Sequence, residues 1–395
     1  MSELKVNSIK GVAASTAAIT INNTDGTCTA NVTNNLSNRN IIINGGMIIS
    51  QRNGTTATAV TGTSQYTLDR IKGSNSTDAA FTIAQSSVAP DGFANSLKVD
   101  VTTADASLDA GHYGQLVYLV EAQDLQQLAF GTSGAKDCIL SFYVRSNKTG
   151  NYGVAVLQSD NASKQVSFQY TINTANVWER KSFVIPGDTS GVINNDTGAG
   201  FDIHIGLGAG TTYTSGSLRS SFTSFANGDL YAGLGVNLFD STSNEWYITG
   251  IQLEVDHTGS GKPTDFEHRS FNQELDLCKR YFQTVAKGRE AVGATGASFE
   301  YMGHGYGWGT GQAEFLVRWD KEMRAYPTVD SASGTDYFRM STSGLNVDFD
   351  NWVGYGLGRR SGLIYKGGIS SIINGHSFRA QINNNSAYVY LNAEL

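Results

Sequence analysis

Charged side chains are scarce in this chain. Asp, Glu, Lys and Arg make up 16% of its 395 residues, against roughly 25% in an average soluble domain. There are only 4 prolines and 3 cysteines. Each shortage excludes something. Long soluble helices draw heavily on Lys, Glu, Leu and Ala, so a chain this poor in charge is not built from them. Cys28, Cys138 and Cys278 are far apart, odd in number and without CxxC or Cys/His spacing, which argues against a zinc site or a disulfide framework. Cys138 and Cys278 sit in apolar surroundings and read as small core residues. Positive charge is also short. The net charge is −7, whereas nucleic-acid binding needs a basic footprint. No apolar run approaches the roughly 18 residues of a membrane-spanning helix. The opening Met1-Ser-Glu-Leu-Lys lacks the apolar segment of a secretory signal, so neither membrane insertion nor general export is expected.

Catalytic signatures are missing too. The chain has no GxSxG elbow, no GxxxxGK[ST] loop and no HExxH helix. His112, His204, His257, His268, His304 and His376 form no i, i+4 pair. No catalytic residue, metal ligand or cofactor is expected. Gly206, Gly208 and Gly210 alternate with other residues but precede no helix. They read as a bulge or turn, not a phosphate cradle. A glycosidase needs two carboxyl groups about 5–10 Å apart, and sequence alone cannot pair them across strands.

What is abundant is Gly (45 residues) together with Thr, Ser and Asn, on a background that is 40% hydrophobic. Thr, Val, Ile, Tyr and Phe suit half-buried pleated surfaces. From Ile41 onward, short strand-like runs alternate with turn signals, the spacing of a sandwich or barrel. Ile41-Ile42-Ile43 and Met47-Ile48-Ile49 flank an Asn44-Gly45-Gly46 turn. Further expected strands include Ala80 to Gln85, Cys138 to Arg145, Phe201 to Leu207, Leu230 to Leu238 and Glu245 to Val255. No fixed-period repeat suggests a solenoid or propeller. Residues 1–40 are polar, carry short strand-like pieces at Leu4 to Ile9 and Ala18 to Ile21, and cannot bury a core alone. They predict an extended arm that docks or intertwines, or else a loose tail.

One helix stands out. Ser270 is an N-cap with Gln273 three residues on, the spacing of a capping box. Phe271, Leu275, Cys278, Phe282 and Val285 then follow a heptad-like spacing. That seam could meet symmetry mates on a trimer axis or pack on the chain's own sheet. Residues 289–395 predict a second, smaller sandwich. It holds the aromatic run Tyr301-Met-Gly-His304-Gly-Tyr306-Gly-Trp308-Gly, with Trp352 and Tyr355 beyond. Sugars stack their C–H faces on such rings, so these six residues are glycan-binding candidates. The alternative is a core or subunit-interface cluster.

Several stretches resemble phage tail-fibre and virion structural proteins. They are Asn44-Gly-Gly-Met-Ile-Ile-Ser-Gln-Arg52, Tyr66-Thr-Leu-Asp-Arg70, Leu140 to Ser146 and Ile185-Pro-Gly-Asp188. The most specific is Ile248-Thr-Gly-Ile-Gln252-Leu-Glu254, running into Thr264-Asp-Phe-Glu267-His-Arg269 and Glu274 to Phe282. The opening residues resemble those of marine-phage fibre proteins. The resemblance implies a carbohydrate-binding-module-like jelly roll, a virion setting, and a framework role for Asp265 and Glu267.

The expectation is therefore an all-β chain. Residues 1–40 form an extended arm, 41–268 a jelly-roll-like β-sandwich, 269–288 a helix and 289–395 a smaller C-terminal β-sandwich. The expected function is host-surface attachment by a non-enzymatic homotrimer in a phage tail, assembled in the host cytoplasm. Its partners would be other virion proteins and a host glycan or protein receptor. The alternatives are a structural decoration or adaptor protein binding only virion partners, and a glycan-degrading tailspike.

Overall fold

The computed structural model describes residues 6–12, 17–22, 24, 26, 28–30, 38–62, 64–288, 300–342 and 344–395. Leu4 and Lys5 of the first expected strand, and residues 297–299 of the strand the sequence predicts from Ala297 to Met302, lie outside these. The chain is all-β. Two six-stranded antiparallel sheets build the first sandwich. One runs Glu179–Ile185, Cys138–Ser146, Glu245–Val255, Ser96–Thr103, Ala80–Ser86 and Thr58–Ala59 across its width. The other runs Lys164–Ile172, Gly150–Gln158, Ala199–Ala209, Tyr113–Glu121, Ile71–Asn75 and Gln65–Leu68. Three hairpins (Gln65–Leu68 with Ile71–Asn75, Ala80–Ser86 with Ser96–Thr103, Gly150–Gln158 with Lys164–Ile172) combine with pairings between strands distant in sequence, as in a jelly roll.

Alternation explains the core. Leu140, Phe142 and Val144 point inward from one sheet, and Tyr152, Val154 and Val156 from the other; all six are fully buried in one apolar cluster. A second sandwich follows. Phe282–Lys287, Tyr388–Asn392 and Thr328–Ser331 form a three-stranded sheet. Facing it is a seven-stranded sheet in the order Leu345–Phe349, Phe338–Thr342, Ser377–Ile382, Tyr301–Gly309, Gln312–Arg318, Ser361–Gly367 and Val353–Tyr355. Val389 and Ala286 of the first and Phe315, Phe338 and Phe378 of the second share its core. The N-terminal arm is not simply extended. Ser8–Ile9, Ile19–Ile21 and Cys28–Ala30 pair as a small antiparallel sheet.

Three sequence expectations are corrected. First, the helix spans only Phe271–Cys278, although its capping box at Ser270 and Gln273 is present. Phe282 and Val285 lie in the strand Phe282–Lys287, paired with Tyr388–Asn392. Arg280 and Tyr281 both bond Glu121, at 2.6 Å from Arg280 Nη2 and 2.6 Å from the Tyr281 hydroxyl. These anchors and the pairing partner override the helical spacing, and the aromatic and β-branched run 281–285 suits a strand. The five residues therefore form no continuous helical seam. Cys278 and Phe282 are buried within the chain, whereas Phe271 is exposed.

Second, Ile41–Ile42 and Met47–Ile49 join no strand; they flank a turn over residues 43–46. Asn44, at φ 62°, donates its side-chain amide to the Ile49 and Asp69 carbonyls and accepts from the Ile49 N–H. A side chain that meets the backbone's needs replaces a strand ladder. Third, Leu230 to Leu238 is a turn-rich lid. Tyr231 packs onto Ala155 and Leu157, on the outer face of the second six-stranded sheet. The glycine run lies beneath it. The ladder slips between Gly206 and Gly208, the expected bulge, and a Cβ on Gly206 would come within 2.8 Å of the Tyr231 ring.

The stretch Gln252 to Arg269 is framework, and the contacts show why. Glu267 accepts the Asn38 and Asn40 N–H groups and donates its own N–H to Gln252. Glu254 accepts from the Thr264 N–H and hydroxyl. Arg269 donates to the Ile42 carbonyl. Together they fasten the segment around residue 40 to the closing strand of the jelly roll.

Candidate functional site

The strand Tyr301–Gly309 occupies the middle of the seven-stranded sheet. Gly303, Gly305 and Gly307 face the second core. A Cβ on Gly305 would lie 2.5 Å from the Phe378 ring, and one on Gly307 2.7 Å from Ile372. Only glycine fits there, so the intervening large residues must all point outward. His304, Tyr306 and Trp308 do so. A slip in the ladder between Tyr301 and Gly303 brings Tyr301 to the same face. Tyr301, Tyr306 and Trp308 are each about half exposed, at 57%, 51% and 48%.

Strand register extends this row sideways, because directly opposed residues share a face. Tyr306 lies between Ser377 and Glu314; Glu314 is opposite Tyr365, and Tyr365 opposite Val353. One step along, Leu316 is opposite Leu363, which is opposite Tyr355. Tyr355 and Tyr365 are 6.3 Å apart at their ring centres. The Tyr306 hydroxyl donates to Glu314 at 2.9 Å, a bond that raises the Tyr306 pKa. The Arg379 guanidinium lies 5.4 Å over the Tyr301 ring. The result is a broad, shallow belt of rings with charged groups set into it. Such a belt can stack on apolar faces of a ligand and hydrogen-bond its polar edge.

Of the six candidates, Tyr301, His304, Tyr306, Trp308 and Tyr355 share this outer face. Trp352 does not. It is 2% exposed and meets Phe349 edge-on at 4.7 Å and Phe315 at 5.0 Å inside the core. The bend at Asp350 precedes its inward turn, which aromatic content alone cannot reveal. Sequence reasoning missed Glu314, Leu316, Leu363 and Arg379. Their alternation was visible, but the pairing that sets them beside the rings was not.

Among the described residues, Asp78, Asp105 and His112 bring three potential metal-ligand atoms within 4.8 Å of one another at one end of the first sandwich. His112 Nδ1 is 3.8 Å from Asp105. Cys138 and Cys278 are free and buried, and burial raises both thiol pKa values.

No family model and no curated protein matches the chain. Solved structures do. The enzymatically active domain of tailspike protein 4 from bacteriophage CBA120 is 13% identical over 55% of this chain, with a TM-score of 0.29. The match spans only 21% of that tailspike chain. The TmCBM61 module in complex with β-1,4-galactotriose is 13% identical, covering 55% of this chain and 99% of that one, with a TM-score of 0.27. A family 11 carbohydrate-binding module from Clostridium thermocellum is 11% identical, covering 55% and 99%, with a TM-score of 0.25. Likeness of this degree assigns no function.

Proposed function

We propose that this chain is a non-enzymatic tail-fibre or receptor-binding subunit of a phage virion, which attaches to host-surface glycan through the outer face of its seven-stranded sheet. The observation that carries this reading is the belt of exposed rings around Tyr306 and Trp308. Exposed aromatic rows on a rigid sheet are costly to leave in water, and a soluble protein rarely keeps a large apolar patch without a use. The Gln252-Leu-Glu254 to Phe282 resemblance supports the virion setting. In a homotrimer, three such faces would multiply a weak individual affinity.

The test is adsorption of purified protein to host cells. Trp308→Ala and Tyr306→Ala should each weaken it at least tenfold while leaving the thermal midpoint within a few degrees. Unchanged adsorption by the double variant refutes the reading. Sedimentation at micromolar concentration checks the trimer, and new reducing ends after incubation with envelope polysaccharide would favour a degrading tailspike.

One observation favours the adaptor reading. Leu316 and Val353, 55% and 45% exposed, lie on the same face as the rings. Aliphatic side chains suit a protein partner better than a sugar. Trp308→Ala particles that lose the protein itself, instead of losing host binding, would support this second reading.

A further inference from the structure

The three-stranded sheet of the second sandwich turns one face toward the first sandwich. Opposed pairs put Tyr388, Tyr390 and Asn392 on that face with Lys287 and Asp330. Arg52, Asn53, Thr56, Thr58 and Gln65 with Tyr66 form the opposite wall. Between them lies a cleft of about 750 Å³, within the roughly 300–1,000 Å³ of small-ligand sites.

Its lining is chemically specific. Tyr388 and Tyr390 stack almost parallel, 4.3 Å apart with planes 10° apart. Tyr390 is locked underneath by its hydroxyl bond to the Arg52 carbonyl at 3.1 Å, so Tyr388 is the ring next to the open space. The Arg52 charge is already engaged: Glu394 lies 3.3 Å away and the guanidinium stacks 3.6 Å over Phe282. Lys287 differs. Its ammonium donates to the Arg52 carbonyl at 2.7 Å, and no carboxylate lies within ion-pair distance among the described residues. Burial lowers its pKa, the signature of a cation short of compensation. Asp330 likewise has no cation in ion-pair contact among the described residues, and burial raises its pKa. Asn53, Asn385 and Asn392 add neutral donors and acceptors along the rim.

A ring platform, one unpaired cation, one carboxylate and several amides form a constellation suited to a hydroxyl-rich ring that carries an acid. We infer that this cleft is a second binding site, which takes an acidic saccharide with its ring against Tyr388 and its carboxylate on Lys287. Hydroxyls would donate to Asp330 and the amides. A ligand held there touches both sandwiches and would brace them against each other. The site is independent of the ring belt on the outer face and of the reading built on that belt.

The experiment is isothermal titration of the full chain with tetrasaccharides of galacturonic, glucuronic and mannuronic acid, each beside its neutral counterpart. At least one acidic probe should bind, and more tightly than its neutral form. Lys287→Gln should cost that probe about tenfold, the loss of one charge-assisted contact, and leave neutral binding unchanged. Tyr388→Ala should weaken both. Asn385→Trp, an exposed rim change that leaves the core untouched, should block the cleft even if Tyr388→Ala disturbs folding. Trp308→Ala should have no effect. Failure of all three acidic probes at millimolar concentration overturns the proposal. So does binding that survives Lys287→Gln and Asn385→Trp but is lost in Trp308→Ala, which would place the sugar on the outer face instead.

Discussion

Replacing Glu394 by Gln should loosen the joint between the two sandwiches. Glu394 reaches into the first sandwich, where its carboxylate meets Arg70 at 2.5 Å and Arg52 at 3.3 Å. Arg70 is 1% exposed. It also donates to the Leu119 carbonyl and stacks 3.5 Å over the Tyr281 ring. Removing one partner of a buried pair typically costs about 3–5 kcal/mol, because the other charge stays buried and uncompensated. Gln keeps a hydrogen-bond acceptor, and Arg70 keeps its carbonyl and ring, so about 3 kcal/mol is expected. The assay is urea unfolding of two single-tryptophan variants, one retaining Trp246 in the first core and one retaining Trp352 in the second. Both probes should shift together, since the joint belongs to both modules. Arg70→Met combined with Glu394→Leu should recover part of the loss, because it removes the Arg70 desolvation cost while Arg52 still lacks its carboxylate. A loss under about 1 kcal/mol in Glu394→Gln, or a double variant as unstable as the sum of the singles, refutes the reasoning.

Other outcomes follow from the same contacts. Trp352→Ala should cost about 3–5 kcal/mol as a cavity in a packed core, whereas Trp308→Ala should cost under about 0.5 kcal/mol; thermal denaturation separates them. Gly305→Ala should destabilise the second sandwich and dull the ring belt together, because its methyl would push Phe378 or the strand itself; circular dichroism and cell adsorption check both. His204 is half-buried, and desolvation first and Lys72 second lower its pKa to about 4. The unfolded chain therefore binds more protons between about pH 4 and 6.5, so stability should fall as pH drops through that window, by on the order of 2 kcal/mol. His204→Asn should flatten that part of the curve, and an unchanged slope would count against the assignment.

The fold was largely legible from Thr, Val and aromatic alternation, because each face of a half-buried strand writes its own period into the sequence. What failed were the places where one residue type serves two structures. Phe271, Leu275, Cys278, Phe282 and Val285 match a heptad, yet the last two also match a strand, and a partner more than a hundred residues away decided between them. Met47–Ile49 is as apolar as any strand, but Asn44 satisfies its backbone locally. The same limit applied to the ring belt. Tyr301 to Trp308 announced itself through alternating glycines. Trp352 carried the same chemistry and went to the core, because direction depends on a bend and not on composition. Lys287 and Asp330 offered no signal at all, being ordinary charges until two distant strands set them beside Tyr388.

The pairing of Glu394 with Arg70 also imposes a timetable. Their separation is 324 residues, which at about 5–20 residues per second of synthesis is roughly 15–65 s. For that interval the emerging first sandwich has no Glu394 to neutralise Arg70, which sits in the turn between Gln65–Leu68 and Ile71–Asn75, so burial of that guanidinium must wait. A chain shortened before Glu394 leaves the Arg70 guanidinium without its carboxylate, so such a truncation should be destabilised as Glu394→Gln is.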